Sequence, residues 1–99
     1  MYGLSDSDIE AMRSVFRTEE HLERVVLYGS RAKGNYKTFS DIDITLIGHN
    51  LTGNDVSRLA IELDDLLLPY NMDISHYSSL SNPQLIDHIN RRGVALYEV

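Results

Sequence analysis

The sequence predicts an α/β (α+β) fold, a sheet covered mainly by helices, and three observations carry that prediction. Short runs rich in β-branched and aromatic residues alternate with stretches whose apolar residues recur at helical spacing. The helical stretches open on residues suited to capping a helix. The chain has 99 residues, 42% of them hydrophobic, which is enough for one core and not for two. Residues 1–99 are therefore expected to form one domain.

The elements follow in order. From Ser5 to about Thr18 a helix is expected, because Ser5 is a good N-cap, Asp8 stands three residues on, and Leu4, Ile9, Met12, Val15 and Phe16 share one face. Arg24 to Tyr28 reads as a strand by its β-branched and aromatic content. Gly29 to Ser40 reads as loop or short helix, and Ile42 to Ile47 as a second strand. Thr52 and Asp55 open a helix running to about Leu67, with Val56, Leu59, Ala60, Leu63, Leu66 and Leu67 on its apolar face. Met72 to Tyr77 reads as a third strand. Asn82 caps a last helix with Pro83 at its first position, Arg91 and Arg92 in its last turn and Gly93 as C-cap. Val94 to Val99 closes the chain as a short strand.

Composition removes whole classes of function. With no Cys, disulfides, Cys-ligated zinc and thiol catalysis are excluded. No run approaches the ~18–20 apolar residues of a membrane span, and the first ten residues lack the basic and apolar regions of a signal peptide. A cytoplasmic location is the expectation. Nine Lys+Arg against fifteen Asp+Glu leave a net charge of -6, which argues against extended nucleic-acid or membrane binding. Yet Arg24, Arg31, Lys33 and Lys37 fall in a stretch, Arg24 to Ser40, that contains no acid. A local positive segment in an acidic chain suits a small anionic ligand.

The chemistry concentrates around that segment. A strand runs directly into Gly29-Ser30, and Asp41-Ile42-Asp43 then opens the next strand. Side chains alternate along a strand, so Asp41 and Asp43 share a face while Ile42, Ile44 and Leu46 enter a core. Asp73, between Met72 and Ile74, repeats the pattern on the third strand. Converging carboxylates repel one another and are tolerated most easily around a divalent cation; oxygen donors select Mg²⁺, Mn²⁺ or Ca²⁺. Gly29 lets backbone approach a ligand closely, Ser30 offers a hydroxyl and an amide, and Arg31 and Lys33 add positive charge. Other motifs fail: Asn35-Tyr36 stand where a P-loop needs Lys-Ser/Thr, and Leu46 and Thr52 occupy the Gly and Glu positions of an EF-hand starting at Asp41.

Gly29-Ser30, ten intervening residues and Asp41-Ile42-Asp43 together resemble the signature of the nucleotidyltransferase superfamily related to DNA polymerase β, and Asp73 is similar to its third acid. The segments GSRAKG and SDIDITL most resemble the minimal nucleotidyltransferases, small proteins often paired with HEPN-domain toxins in toxin–antitoxin modules. The resemblance implies a single nucleotidyltransferase-fold domain with a small mixed sheet. It implies that Asp41, Asp43 and Asp73 hold two Mg²⁺ ions, with Mn²⁺ as a substitute, and that Asp73 serves the attacking hydroxyl. Gly29, Ser30, Arg31 and Lys33 would grip the phosphates of ATP. The implied reaction is transfer of AMP to a hydroxyl, expected to be a tyrosine of a HEPN-type partner, which would make the chain an antitoxin. Two other readings stand beside it: a non-catalytic module that neutralises a partner by binding, and transfer to a small molecule such as an aminoglycoside. A second protein or a second copy of this chain is expected to complete the pocket.

The remaining residues are read as structural. His21, His49, His76 and His88 show no ligand spacing with one another, and His76 shares a strand face with Met72 and Ile74. Tyr28, Tyr77 and Tyr97 sit in expected strands and are assigned to packing, and Asp64-Asp65 to a solvated helix face.

Overall fold

In a computed structural model describing residues 1–99, side-chain caps set the helix starts. Helix α1 (Asp6–Phe16) begins at a complete capping box, in which the Ser5 hydroxyl accepts from the Asp8 amide at 3.1 Å and the Asp8 carboxylate accepts from the Ser5 amide. Thr52 and Asp55 form the same reciprocal pair ahead of α3 (Gly53–Asp64). Asn82 caps α4 (Pro83–Arg92) by accepting from the amides of Gln84 and Leu85. Between α1 and α3 lie β1 (Arg24–Tyr28), the one-turn α2 (Ser30–Lys33) and β2 (Ile42–Ile47); β3 (Met72–His76) and β4 (Val94–Glu98) flank α4.

Helix ends depart from the periodic pattern for local reasons. The apolar face predicts that α3 runs to Leu67, but the Leu66 and Leu67 amides turn to carbonyls three residues back, and Leu67 adopts φ +55°. Pro69 follows within two residues and could not continue the helix. Likewise α1 stops at Phe16, where the Thr18 amide bonds the Val15 carbonyl. Strand β3 ends at His76 because Tyr77–Ser79 winds into a 3₁₀ turn. Gly93 caps α4 as expected, but at φ -67° and not in the left-handed region. Glycine is required there for space, since a Cβ would strike Val26 and the Ile89 carbonyl.

The sheet is mixed, in the order β3-β2-β1-β4. Both neighbours of β1 are antiparallel to it, while β3 runs parallel to β2. Alternation sends Val25, Leu27, Ile42, Ile44 and Leu46 to one face, where Met12 and Phe16 of α1 and Leu59 and Leu63 of α3 close the main core. Full burial of such side chains contributes roughly 1.5–3 kcal/mol each. A smaller cluster of Val26, Tyr28 and Ile89 seats α4 on the opposite face. The main core spans Leu4 to Leu96.

Candidate active site

The acids lie on the α4 face. In the parallel register Asp43 is directly opposite Asp73, and in the antiparallel register Tyr28 is directly opposite Asp43. Residues paired in this way point to the same side of the sheet, on strands about 4.8 Å apart. Asp73, Asp43 and Tyr28 therefore form a row across three strands at the end where β1 gives way to Gly29 and α2. Asp41 is exposed just ahead of β2, and Asp73 is exposed on the edge strand, while Asp43 is half-buried between them. Partial burial holds the Asp43 carboxyl above the ordinary carboxylate range; Asp73 and then Asp41 push it further up, and His88 pulls it down. Burial also raises the Tyr28 phenol, with the Asp73 and Asp43 charges adding to the effect.

Gly29 stands at φ 77°, ψ -154°, a backbone region essentially reserved for glycine. It caps α2, whose first residue is the half-buried Ser30. The amides of this single turn ahead of Lys33 have no acceptor within the helix. They begin beside the Asp43 carboxylate, because a Cβ on Gly29 would overlap Asp43 Oδ2. The strand, the turn and the acid are thus packed against one another.

Arg31 does not fit the expectation of a phosphate contact. It is 1% exposed. Its Nε and Nη2 donate to the Ser40 carbonyl at 3.1 and 2.8 Å, Nη1 donates to Tyr2 at 2.9 Å, and Nη2 also reaches Thr38. The guanidinium lies against the rings of Tyr36 and Tyr70, at 5.4 and 4.8 Å from their centroids. Its donors are engaged inside the protein, where it ties the 34–40 loop to the N-terminal segment. Lys33 is exposed at the end of α2.

One residue at the site escaped the sequence reading. His88, from α4, accepts the Gly29 amide on Nε2 at 3.1 Å and meets the Tyr28 ring nearly edge-on, with centroids 6.2 Å apart. A single histidine 59 residues from its partner leaves no local spacing signal. The weak hint was its place one residue before the buried Ile89, on the side of α4 that faces the sheet.

The family model described as polymerase beta, nucleotidyltransferase matches residues 10–99. The chain belongs to this nucleotidyltransferase family. No curated protein matches it. Among solved structures, a toxin–antitoxin complex with AMP-PNP aligns at TM-score 0.73 and 24% identity, over 92% of this chain and 73% of that one. The complex of a tri-AMPylated Shewanella oneidensis HEPN toxin with its MNT antitoxin aligns at 0.70 and 21%, over 100% and 74%. Both show the shared fold. A protein provisionally classed as a minimal nucleotidyltransferase aligns at 0.68 and 28%, over 89% and 88%.

In this nucleotidyltransferase the three aspartates suit a hard divalent cation. They offer only carboxylate oxygens, and every salt bridge in the chain involves other acids, so no Lys or Arg neutralises them. They do not bring three donor atoms within 4.8 Å of one another; the group that does is Glu19, His21 and Asp55, at the opposite end of β1. There Glu19 is already paired with Arg58 at 2.8 Å. A cleft of about 470 Å³ opens beside Asp73 between α3 and the edge strand β3, lined by Leu63, Tyr70, Met72 and Ile74 among others. No helix is long and apolar enough to cross a membrane.

Proposed function

We propose that this nucleotidyltransferase moves AMP from ATP to a hydroxyl, a tyrosine of a HEPN-type partner, and thereby acts as an antitoxin in the cytoplasm. The row Tyr28–Asp43–Asp73, ending against the Gly29-Ser30 turn, is the observation that carries the reading. It gathers an anion-binding turn and a carboxylate cluster on one face, and a purely adhesive module has no use for that combination. The neighbouring complexes described above support the choice of partner and nucleotide. Residues 1–99 act as one domain in this reading, and a partner protein or second copy completes the pocket.

The roles follow from position. The amide and hydroxyl of Ser30, at the start of α2, bind the terminal phosphates, with Gly29 allowing their close approach and Lys33 adding positive charge. Arg31 is reassigned from phosphate contact to holding the loop that follows. Asp41, Asp43 and Asp73 would hold Mg²⁺, which when bound supplies neutralisation of charge at the transferred phosphate and the leaving group. Asp73, on the exposed edge beside the cleft, accepts the proton of the acceptor hydroxyl. As the hydroxyl oxygen bonds to the α-phosphorus, the bond to pyrophosphate breaks and pyrophosphate leaves. The protein's contribution is mainly positioning and electrostatics.

The test uses purified chain, Mg²⁺ and ATP labelled at the α-phosphate, with and without the HEPN-type protein. Label is expected on a tyrosine of that protein, and none with the Asp41→Asn/Asp43→Asn variant. A tight complex with no label on either protein would instead favour neutralisation by binding alone. Label on an aminoglycoside and not on protein would redirect the acceptor to small molecules.

A further inference from the structure

We infer that His88 is a positioning residue for the phosphate-binding turn, an inference that rests on the nucleotide reading above and extends it to α4. Nε2 accepts the Gly29 amide at 3.1 Å, the role of an unprotonated ring nitrogen. The contact binds the one residue of the turn whose backbone lies in glycine-only space. It also occupies the Gly29 amide, so the anion meets the donors from Ser30 onward.

The ring is held in place for this task. Helix α4 is fixed at its start by the Asn82 cap and along its length by buried Ile89. The Tyr77 hydroxyl donates to Asn90 at 2.9 Å, and the absent side chain of Gly93 lets the helix end lie against Val26. Tyr28 walls the ring on one side. A packed helix on the face away from the main core thereby determines where the turn after β1 points.

Two variants test the assignment. His88→Leu keeps bulk and helix propensity but cannot accept the amide; His88→Gln places an oxygen near the Nε2 position. Amide exchange at Gly29, followed by NMR, should be about fivefold to tenfold faster in the Leu variant than in wild type, and close to wild type in the Gln variant. With Mg²⁺ present, calorimetry should show ATP binding weakened about tenfold by Leu, AMP binding changed by less than about twofold, and most of the ATP affinity restored by Gln. Two results overturn the inference: Gly29 exchange and ATP affinity unaltered in the Leu variant, or ATP and AMP weakened in parallel with a drop in Tm, which is a structural role only. A wild-type chain that binds no nucleotide refutes the proposed function itself and the inference with it. That failure is visible in wild type, whereas the inference's own failure is visible only in the variants.

Discussion

The carboxylate of Asp43 occupies the space that a side chain on Gly29 would fill. Gly29 follows β1 and Asp43 lies in β2, and their contact joins the turn proposed to bind phosphate to the acidic row. Gly29→Ala must either displace Asp43 or distort the turn, and it places a Cβ at φ 77°. A loss of about 1–3 kcal/mol is expected from the backbone conformation alone, measurable by urea denaturation. ATP affinity should fall with it, and a variant of wild-type stability and affinity would contradict the packing described here.

Asp43→Asn separates stability from activity. The Asp43 carboxyl is held up by burial and by its acidic neighbours, so the folded chain retains that proton to higher pH than the unfolded chain does. Stability is therefore lost as pH rises from about 4, the ordinary carboxylate value, through the raised folded value. The Asn variant, which mimics the protonated form in charge, should melt above wild type at pH 7. The difference should vanish below about pH 4. Mg²⁺ should raise the Tm of wild type and not that of the variant, while AMP transfer falls at least about a hundredfold.

Asp73→Asn should act differently, because Asp73 sits on the exposed edge of the sheet and not against Gly29. Removing the proposed proton acceptor while keeping the turn intact should leave ATP affinity within about twofold and lower transfer at least about a hundredfold. Calorimetry and single-turnover labelling give the two numbers. Equal losses in both would place Asp73 with Asp43 in nucleotide binding.

Arg31→Met tests the reassignment of Arg31. Without the guanidinium, the carbonyls of Tyr2, Thr38 and Ser40 lose their donors and the Tyr36 and Tyr70 rings their cation. A destabilisation of about 2–4 kcal/mol is expected, since each orphaned acceptor costs on the order of 1–3 kcal/mol and the exposed loop recovers part of that from water. Lysine should rescue it poorly, having no planar fork. Below the melting transition the Met variant should bind ATP nearly as well as wild type; a selective loss of ATP affinity with unchanged stability would return Arg31 to the phosphate.

What could be read along the chain was whatever depends on near neighbours. The capping pairs Ser5–Asp8 and Thr52–Asp55 act over three residues, and both appear where their spacing predicts. Strands β1 and β2 run over the residues expected, and side-chain alternation placed Ile42 and Ile44 in the core and Asp43 on the other face. The places of Gly29, Ser30, Asp41, Asp43 and Asp73 in the fold were legible for the same reason, because each lies in a strand or within two residues of one. Folding alone settled the rest. The parallel register that sets Asp43 opposite Asp73 links residues 30 apart in the chain, and the His88–Gly29 bond spans 59. Arg31 reads as a free cation in sequence and is buried only because Ser40, Tyr2 and Tyr70 converge on it. Local periodicity encodes the direction of a side chain but not what meets it, and those meetings exist only once the sheet order has formed.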